Sequence, residues 1–186
     1  MFNIKVISGQ ARGLKLESAK NEDLRPTKDR VKESLFDILQ FNITGKTFLD
    51  LFGGTGQIGI EAFSRGAKKV IIVEMQKSNF KIIEKNISKI KVPHSIELFN
   101  TDAIHFLKST KLNIDIAFLD PPYNNIELLN KSLELTAKII NENGMIITET
   151  LSSQNTQNKI QDFSLQKIYN YGKISLNLYK KEKNKS

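Results

Sequence analysis

The chain has 186 residues, 39% of them hydrophobic, with no cysteine and a net charge of +8, which suits one core-forming domain with at most a small extension. The lack of cysteine excludes disulfides and cysteine-ligated metals, and the two histidines have no metal-binding spacing. No stretch approaches the ~20 apolar residues of a membrane span, and the N-terminus lacks a signal-peptide pattern, so we expect a cytoplasmic protein with no metal and no membrane partner.

The positive charge lies at the two ends of the chain. Residues 1–32 hold eight basic against four acidic residues, residues 180–186 hold four against one, and the rest carries about +1. A cationic surface attracts a phosphate backbone through counterion release, but a lysine-rich surface also keeps a protein soluble. Charge alone therefore leaves nucleic-acid binding and simple solubility as equal alternatives.

The first part of the chain predicts a β-hairpin followed by a helix. Residues 3–7 and 13–17 alternate apolar and polar side chains on either side of a glycine-flanked link. Thr27 is a candidate N-cap for a helix predicted from about 28 to 41, where apolar residues fall on one face.

From Lys46 onward, strands and helices alternate. The predicted strands are 47–52, 69–74, 95–99, 114–119 and 145–150, and the predicted helices are 56–65, 78–90, 103–108 and 126–140. Residues 152–158 are predicted to form a loop, and residues 163–171 and 174–180 a closing hairpin. This alternation favours an α/β fold with a mostly parallel sheet and helices on both faces.

A glycine-rich loop between a strand and a helix is the first signal of a ligand. Gly54, Gly56 and Gly59 match the GxGxxG spacing, and Glu74 lies twenty residues after Gly54, where a carboxylate can bind ribose hydroxyls. The helix that follows offers unpaired N–H groups at its start. The pattern indicates a nucleoside-containing cofactor and fits NAD and S-adenosylmethionine alike.

Two acidic residues bear on the choice of cofactor. Asp50, just before the loop, suits the ammonium of a methionine moiety and would repel a pyrophosphate, which favours S-adenosylmethionine. The alternative is a structural Asp50 bonded to loop amides. Asp102 can accept from an adenine amino group or cap the helix that starts at Ala103, and the two roles are compatible.

The second signal is the tetrapeptide Asp120-Pro121-Pro122-Tyr123, which follows the strand 114–119. Ligand sites of open α/β sheets lie at the carboxyl ends of strands, so we expect it to face the glycine loop. The Asp120 carboxylate and the Pro121 carbonyl can hold both N–H bonds of a base amino group and direct its lone pair at a methyl group. Tyr123 can stack on the base, a contact worth ~1–3 kcal/mol. The alternative is a rigid turn after an inner strand.

With further segments, these motifs resemble a known family. The chain is similar over nearly its whole length to the RsmD-type bacterial 16S ribosomal RNA guanine-N2 methyltransferases, which modify guanine 966 of the small subunit. The matching segments are 6–16, 24–36, 49–56, 61–67 and 120–123, and the one that contains Arg25-Pro26-Thr27 is the most specific.

The resemblance implies a Rossmann-like class I methyltransferase fold, with a mostly parallel seven-stranded sheet and a small N-terminal β-hairpin extension. Its parts would be a basic RNA-contacting extension (1–45), an S-adenosylmethionine-dependent methyltransferase domain (46–180) and a basic tail (181–186). It implies methylation of the exocyclic N2 of a guanine in 16S ribosomal RNA, within a small ribosomal subunit or an assembly intermediate. We expect a monomer, because no long apolar surface segment is evident.

The candidate site residues form three groups. We expect catalysis from Asp120, Pro121 and Tyr123. We expect cofactor binding from Asp50, Phe52, Gly53, Gly54, Gly56, Glu74, Met75, Asp102 and Ala103. We expect substrate binding from Arg12, Arg25, Arg30 and Pro122, although Arg25 and Arg30 can instead form a salt-bridged helix start. A stripe of lysines is interpreted as a solvated face rather than an RNA contact: Lys77, Lys81, Lys85 and Lys89.

Three other classes of protein share parts of this pattern. A DNA adenine-N6 or cytosine-N4 methyltransferase has the same tetrapeptide but usually a separate target-recognition region, for which this chain has little room. A nicotinamide oxidoreductase would have no use for residues 120–123. A cofactor-binding module without catalysis is disfavoured by the presence of both Asp120 and Tyr123.

Overall fold

The computed structural model describes residues 4–18, 29–91, 93–122 and 125–182, without the side chains of Asp29 and Pro93. The chain divides into two compact units, Met1–Asp102 and Ala103–Ser186. Arg25, Thr27 and Tyr123 lie outside the described residues, so the predicted helix cap and the predicted stacking ring are not tested. Among the described helices, none combines the length and the apolar character that a membrane span needs.

The first unit begins with the predicted hairpin, which is confirmed. Strands β1 (Ile4–Lys5) and β2 (Lys15–Leu16) pair antiparallel. They are shorter than predicted because residues 8–13 form turns, closed by hydrogen bonds from Gly13 N to Val6 O and from Val6 N to Leu14 O. Helix α1 (Asp29–Leu39) follows and buries an apolar face of Val31, Leu35, Phe36 and Leu39.

Three parallel strands form the sheet of the first unit, in the order β5-β4-β3: β3 (Thr47–Asp50), β4 (Lys69–Val73) and β5 (Ile96–Phe99). Helices α2 (Gln57–Ser64) and α3 (Lys77–Ser88) connect them. Strand β4 is a continuous buried apolar run, Val70–Val73, as expected of a parallel strand covered on both faces.

Two helices and five strands lie within the described residues of the second unit. The helices are α4 (Ala103–Ser109) and α5 (Ile126–Ala137); the strands are β6 (Ile114–Leu119), β7 (Ile140–Leu151), β8 (Lys159–Ile160), β9 (Phe163–Tyr171) and β10 (Ile174–Lys181). Their order is β6-β7-β10-β9-β8, and only β6 and β7 pair parallel. The resemblance implied seven strands; the described residues add the two-residue β8 beyond the closing hairpin.

The boundary between α5 and β7 was predicted wrongly. We expected a helix to Ile140 and a strand only after Asn143-Gly144, but α5 ends at Ala137 and Ile140 already belongs to β7. The register between β6 and β7 shifts near Ile114, and Asn141 Nδ2 donates to Asp115 Oδ1 at 2.9 Å. Asn143-Gly144 therefore lies within an irregular stretch of strand rather than in a turn.

Candidate functional site

The glycine-rich loop leaves β3 and enters α2 at Gly56, whose left-handed backbone (φ 76°) favours glycine. One turn into the helix, an added Cβ on Gly59 would lie 2.6 Å from Ile72 Cδ1. Only glycine lets α2 approach β4 this closely. The Gly53 N–H also donates to the Val73 carbonyl at 2.8 Å, so the loop is tied to the neighbouring strand. The peptide groups of this loop are therefore held in place before any ligand binds.

Asp50 lies at the end of β3, beneath the loop, and is 2% exposed. Its Oδ2 accepts a hydrogen bond from the Gly59 N–H at 3.0 Å. Burial raises the pKa of Asp50 to about 7; the Gly59 hydrogen bond opposes this rise and the charge of Glu74 adds to it. The structural role weighed for Asp50 is therefore observed, while its role toward a methionine ammonium stays a prediction.

Glu74 follows β4, and its carboxylate faces the loop. Oε2 accepts from the Gly54 N–H at 2.8 Å and Oε1 from the Gln76 N–H at 2.7 Å. Burial raises the pKa of Glu74, and hydrogen bonds from backbone amides and Asn79 counter that rise. Each oxygen keeps a second acceptor site, so the carboxylate can also bind two vicinal hydroxyls.

Asn100 supports the segment after β4 and was missed by the sequence analysis. Its Nδ2 donates to the carbonyls of Glu74 and Met75 at 2.8 and 3.1 Å. This contact fixes the backbone around Met75, whose side chain is 63% exposed. An exposed thioether beside Glu74 suits an apolar ring such as adenine. No local sequence pattern marks Asn100, because its partners lie 25 and 26 residues earlier.

The structure brings five of the predicted cofactor residues together around one loop: Asp50, Gly53, Gly54, Gly56 and Glu74. Phe52 is half-buried in the same loop. Asp102 is exposed after β5, and Ala103 is the buried first residue of α4 in the second unit.

Asn86 holds the other side of the loop and was also missed. It is fully buried on α3, where its Nδ2 donates to the carbonyls of Thr55 at 3.0 Å and Glu17 at 3.1 Å. Its Oδ1 accepts from the Glu17 N–H at 2.7 Å. The Asn86 side-chain amide therefore joins the glycine-rich loop, called the cofactor loop below, to the segment that follows the N-terminal hairpin.

The inner face of α3 is only partly apolar. Helical spacing over 78–90 predicts an inner face of Phe80, Ile83, Ile87 and Ile90, and Ile83 and Ile90 are buried. Phe80 and Ile87 are half-buried, and the polar residues Asn79 and Asn86 are buried instead. The spacing of hydrophobic residues cannot predict a buried asparagine, because such a residue is buried only when its amide finds hydrogen-bond partners elsewhere in the fold.

Glu61 on α2 is a second buried polar centre. Its Oε2 accepts from the Ile7 N–H at 2.7 Å, and its Oε1 accepts from the Ser8 N–H and from Arg65 Nε, both at 2.9 Å. The buried Lys32 ammonium on α1 lies 3.9 Å from Oε2 and donates to the Lys5 carbonyl at 2.9 Å. Glu61 thus ties the hairpin and α1 to α2.

The segment Asp120-Pro121-Pro122, called the acceptor motif below, begins directly after β6. Asp120 is half-buried, Pro121 is buried and Pro122 is exposed. The Pro122 carbonyl accepts from the Asn125 N–H at 2.9 Å, and Asn125 Oδ1 caps α5 by accepting from the Leu128 N–H at 2.9 Å. One hydrogen bond therefore ties Pro122 to the capped start of α5. The residues that line a small pocket beside the acceptor motif include Pro121, Pro122, Asn125, Glu149 and Thr150.

The predicted RNA-binding arginines lie on the surface where they are described. Arg12 is exposed in the turn between β1 and β2, and Arg30 is exposed on α1. Within the described residues neither forms an ion pair, so the salt-bridged helix start is not observed for Arg30. Arg25 lies outside the described residues.

The lysine stripe is exposed along α3, as predicted: Lys77, Lys81, Lys85 and Lys89. Lys85 and Lys89 lie 3.7 and 3.4 Å from the Glu17 carboxylate.

Across the described part of the chain, no group of three or more His, Asp or Glu side chains could hold a metal ion.

Comparisons with known proteins match this arrangement. A family model described as "Conserved hypothetical protein 95" matches residues 4–180. The chain belongs to this family. The ribosomal RNA small subunit methyltransferase D of Escherichia coli strain K12 is 32% identical over 185 residues, which cover 96% of this chain and 90% of that protein. The protein of the same name from Haemophilus influenzae is 37% identical over 152 residues, covering 79% and 78%. The predicted resemblance to the RsmD-type family is confirmed.

Solved structures of methyltransferases have the same fold as this chain. A putative methyltransferase from Escherichia coli superposes with a TM-score of 0.84 at 31% identity, covering 97% of this chain and 99% of that one. A putative methylase from Haemophilus influenzae superposes with a TM-score of 0.80 at 31% identity, covering 98% and 100%. The predicted Rossmann-like class I methyltransferase fold is confirmed.

Proposed function

We propose that this protein transfers the methyl group of S-adenosylmethionine to the exocyclic N2 of a guanine in 16S ribosomal RNA. The observation that carries the proposal is that Asp120, Pro121 and Pro122 come directly after β6, which places a carboxylate at the carboxyl end of that strand, and that the Pro122 carbonyl is bonded to the Asn125 N–H. Membership of a family whose relatives are named ribosomal RNA small subunit methyltransferases supports the choice of substrate.

The cofactor loop fits S-adenosylmethionine. When bound, this cofactor supplies an electrophilic methyl group on a sulfonium. Asp50 offers a buried carboxylate for the methionine ammonium, Glu74 offers acceptors for the ribose hydroxyls, and Met75 offers an apolar surface for adenine. Gly53, Gly54 and Gly56 place no side chains on this loop, and Asp102 is a further acceptor for the adenine amino group.

Asp120 and Pro121 prepare the nucleophile. The lone pair of a guanine amino group is shared with the ring, so the nitrogen is a weak nucleophile until its N–H bonds are held. Asp120 accepts one amino hydrogen and the Pro121 carbonyl accepts the other, while Tyr123 stacks on the ring. Once the nitrogen has taken the methyl group that bound S-adenosylmethionine would supply, its excess proton would leave to Asp120 or to water. Alignment and electrostatics supply most of the acceleration.

We also propose how the chain is organised for this substrate. Residues 1–45 form the RNA-contacting extension, residues 46–180 the methyltransferase domain and residues 181–186 a basic tail. Arg12, Arg25 and Arg30 contact phosphates of the RNA, which the enzyme meets in the cytoplasm as a small subunit or an assembly intermediate. The enzyme acts as a monomer.

The test is transfer of tritium from labelled S-adenosylmethionine into small subunits from cells that lack this protein, followed by mapping of the labelled nucleotide. We expect label at N2 of one guanine of 16S ribosomal RNA. Naked ribosomal RNA and DNA are included as alternative substrates, because label on DNA or on protein would overturn the proposal.

A further inference from the structure

The end of β7 lies beside the acceptor motif. Strands β6 and β7 run parallel, and their last paired residues are Leu119 and Thr148. One position further along both strands come Asp120 and Glu149. Glu149 also lines the same pocket as Pro121 and Pro122. Asp120 directly follows β6, and Glu149 lies two residues before the end of β7, so the two acidic residues stand at equivalent positions on adjacent strands. The mechanism above uses only Asp120.

Glu149 does not belong to the group of polar side chains on the other face of β7, which consists of Thr148, Thr150 and Asn177. Thr148 and Thr150 both accept hydrogen bonds from Asn177 Nδ2 on β10, at 3.1 and 3.0 Å. Because side chains alternate along a strand, Glu149 points to the face opposite these two threonines. The pocket beside Pro121 and Pro122 is lined by Glu149 and by Thr150. Glu149 is 1% exposed. Burying a carboxylate costs free energy that a threonine or valine would not cost at this position, so a use for it is expected.

The chemistry of guanine provides that use. The Watson–Crick edge of guanine presents the N2 amino group and, next to it, the N1–H, and both are donors. Two neighbouring carboxylates match two neighbouring donors. A base with an unprotonated N1, such as adenine or 2,6-diaminopurine, would instead place an acceptor against a carboxylate. Sites built to bond a particular group strongly reject analogues that lack it, because buried polar groups are then left unsatisfied.

We infer that Glu149 determines the specificity for guanine by accepting the N1–H while Asp120 holds the N2 amino group. The inference rests on the proposed function and adds to it the residue that recognises the base as guanine. Glu149 acts on base choice, whereas the methyl acceptor remains the nitrogen held by Asp120 and Pro121.

The test compares two bases that both carry an amino group at C2. Small subunits are reconstituted with 16S ribosomal RNA that has guanine or 2,6-diaminopurine at the target position, and kcat/KM is measured for each. The wild-type enzyme should strongly prefer guanine. In Glu149→Gln, guanine kcat/KM should fall by roughly tenfold to a hundredfold, as for one lost charge-assisted hydrogen bond. The value for 2,6-diaminopurine should hold or rise, because the new amide can donate to the unprotonated N1.

Two controls separate base recognition from structure. Glu142→Gln changes an exposed glutamate on the same strand and should leave both values unchanged. Glu149→Asp keeps a carboxylate and should keep the preference for guanine while lowering kcat. If Glu149→Gln lowers both substrates by the same factor, the residue is structural and the inference is wrong, while the proposed function stands.

The wild-type enzyme gives a further test that needs no variant. An enzyme that methylates guanine and 2,6-diaminopurine equally well does not read N1–H, which contradicts the inference even if Glu149→Gln fails to fold. Failure of the wild-type enzyme to label guanine N2 in any small subunit would instead contradict the proposed function itself.

Discussion

The Asp50 carboxylate accepts a hydrogen bond from the Gly59 N–H at 3.0 Å, which joins the end of β3 to the first turn of α2 across the glycine loop. This contact uses one of the two carboxylate oxygens. Burial at the same place brings the pKa of Asp50 to about 7, so its charge changes near neutral pH. The residue is therefore both a fixed part of the loop and a group that titrates there.

The affinity for S-adenosylmethionine should depend on the ionisation of Asp50. Because burial raises its pKa to about 7, the carboxyl is mostly protonated below that pH and charged above it. A charged Asp50 attracts the ammonium of the methionine moiety, so affinity should rise between about pH 5.5 and about pH 7.5. Isothermal titration calorimetry across this range checks the prediction.

Two comparisons isolate Asp50 in that experiment. Asp50→Asn should bind more weakly above neutral pH and lose most of the pH dependence. An analogue of the cofactor without the amino group should show no gain in affinity with rising pH for either protein. A wild-type affinity that is flat over the whole range would contradict the role of Asp50 toward the ammonium.

Asn86→Ala should loosen the cofactor loop. The substitution removes the three hydrogen bonds that join Thr55 and Glu17 through one buried amide. We expect a loss of ~1–3 kcal/mol in the free energy of unfolding and a higher KM for S-adenosylmethionine. Urea denaturation and steady-state kinetics measure both effects.

Ser88→Ala on the same helix is the matched control, because Ser88 is exposed and bonds only within its own turn. Asn86→Asp adds a sharper comparison, since it keeps the acceptor for the Glu17 N–H but loses both donors. If Asn86→Ala behaves like Ser88→Ala, the buried amide does not hold the loop.

Glu61→Gln should destabilise the protein more than a surface substitution. It removes the charge beside the buried Lys32 ammonium and one of the acceptors for Ile7 and Ser8. Breaking one side of a buried ion pair typically costs ~3–5 kcal/mol. The double variant Glu61→Gln with Lys32→Met should be less destabilised than the sum of the two single variants, as measured by urea denaturation. Strict additivity would mean that the two side chains do not interact.

Arg30→Ala should weaken RNA binding and reduce its dependence on salt. An arginine that contacts one phosphate contributes about one unit to the slope of log affinity against log salt. Lys81→Ala is the control, because Lys81 is also exposed but belongs to the stripe interpreted as a solvated face. Filter binding to ribosomal RNA at several salt concentrations distinguishes them. Equal effects of the two substitutions would remove the special role of Arg30.

Much of this structure could be predicted from the sequence because its signals are local. Apolar runs predicted β4 and β6, helical spacing predicted α1, and glycines at fixed spacing predicted the cofactor loop with Glu74 beside it. Most of these features depend on neighbours within a few residues. Glu74, twenty residues after Gly54, was predicted from the spacing of a known motif instead. The α5–β7 boundary was missed because an irregular pairing, not a turn, accommodates Asn143-Gly144.

The residues that fix the site were not predictable in the same way. Glu61, Asn86 and Asn100 each bond to backbone groups that are 25 or more residues away in the chain. In the sequence they stand as ordinary polar residues of a helix or a loop, and only the folded chain brings their partners to them. Glu149 likewise reads as one polar residue in an apolar strand until the register with β6 places it beside the acceptor motif.

The most direct test of the central claim is transfer by wild-type protein and by Asp120→Ala into small subunits from cells that lack this protein. The wild-type enzyme should place labelled methyl on N2 of a single guanine. Asp120→Ala should lose transfer by at least roughly a hundredfold, because the amino group is no longer held, while S-adenosylmethionine affinity by calorimetry stays close to that of wild type. Full transfer by Asp120→Ala, or label found on any other group by mass spectrometry, would contradict the account.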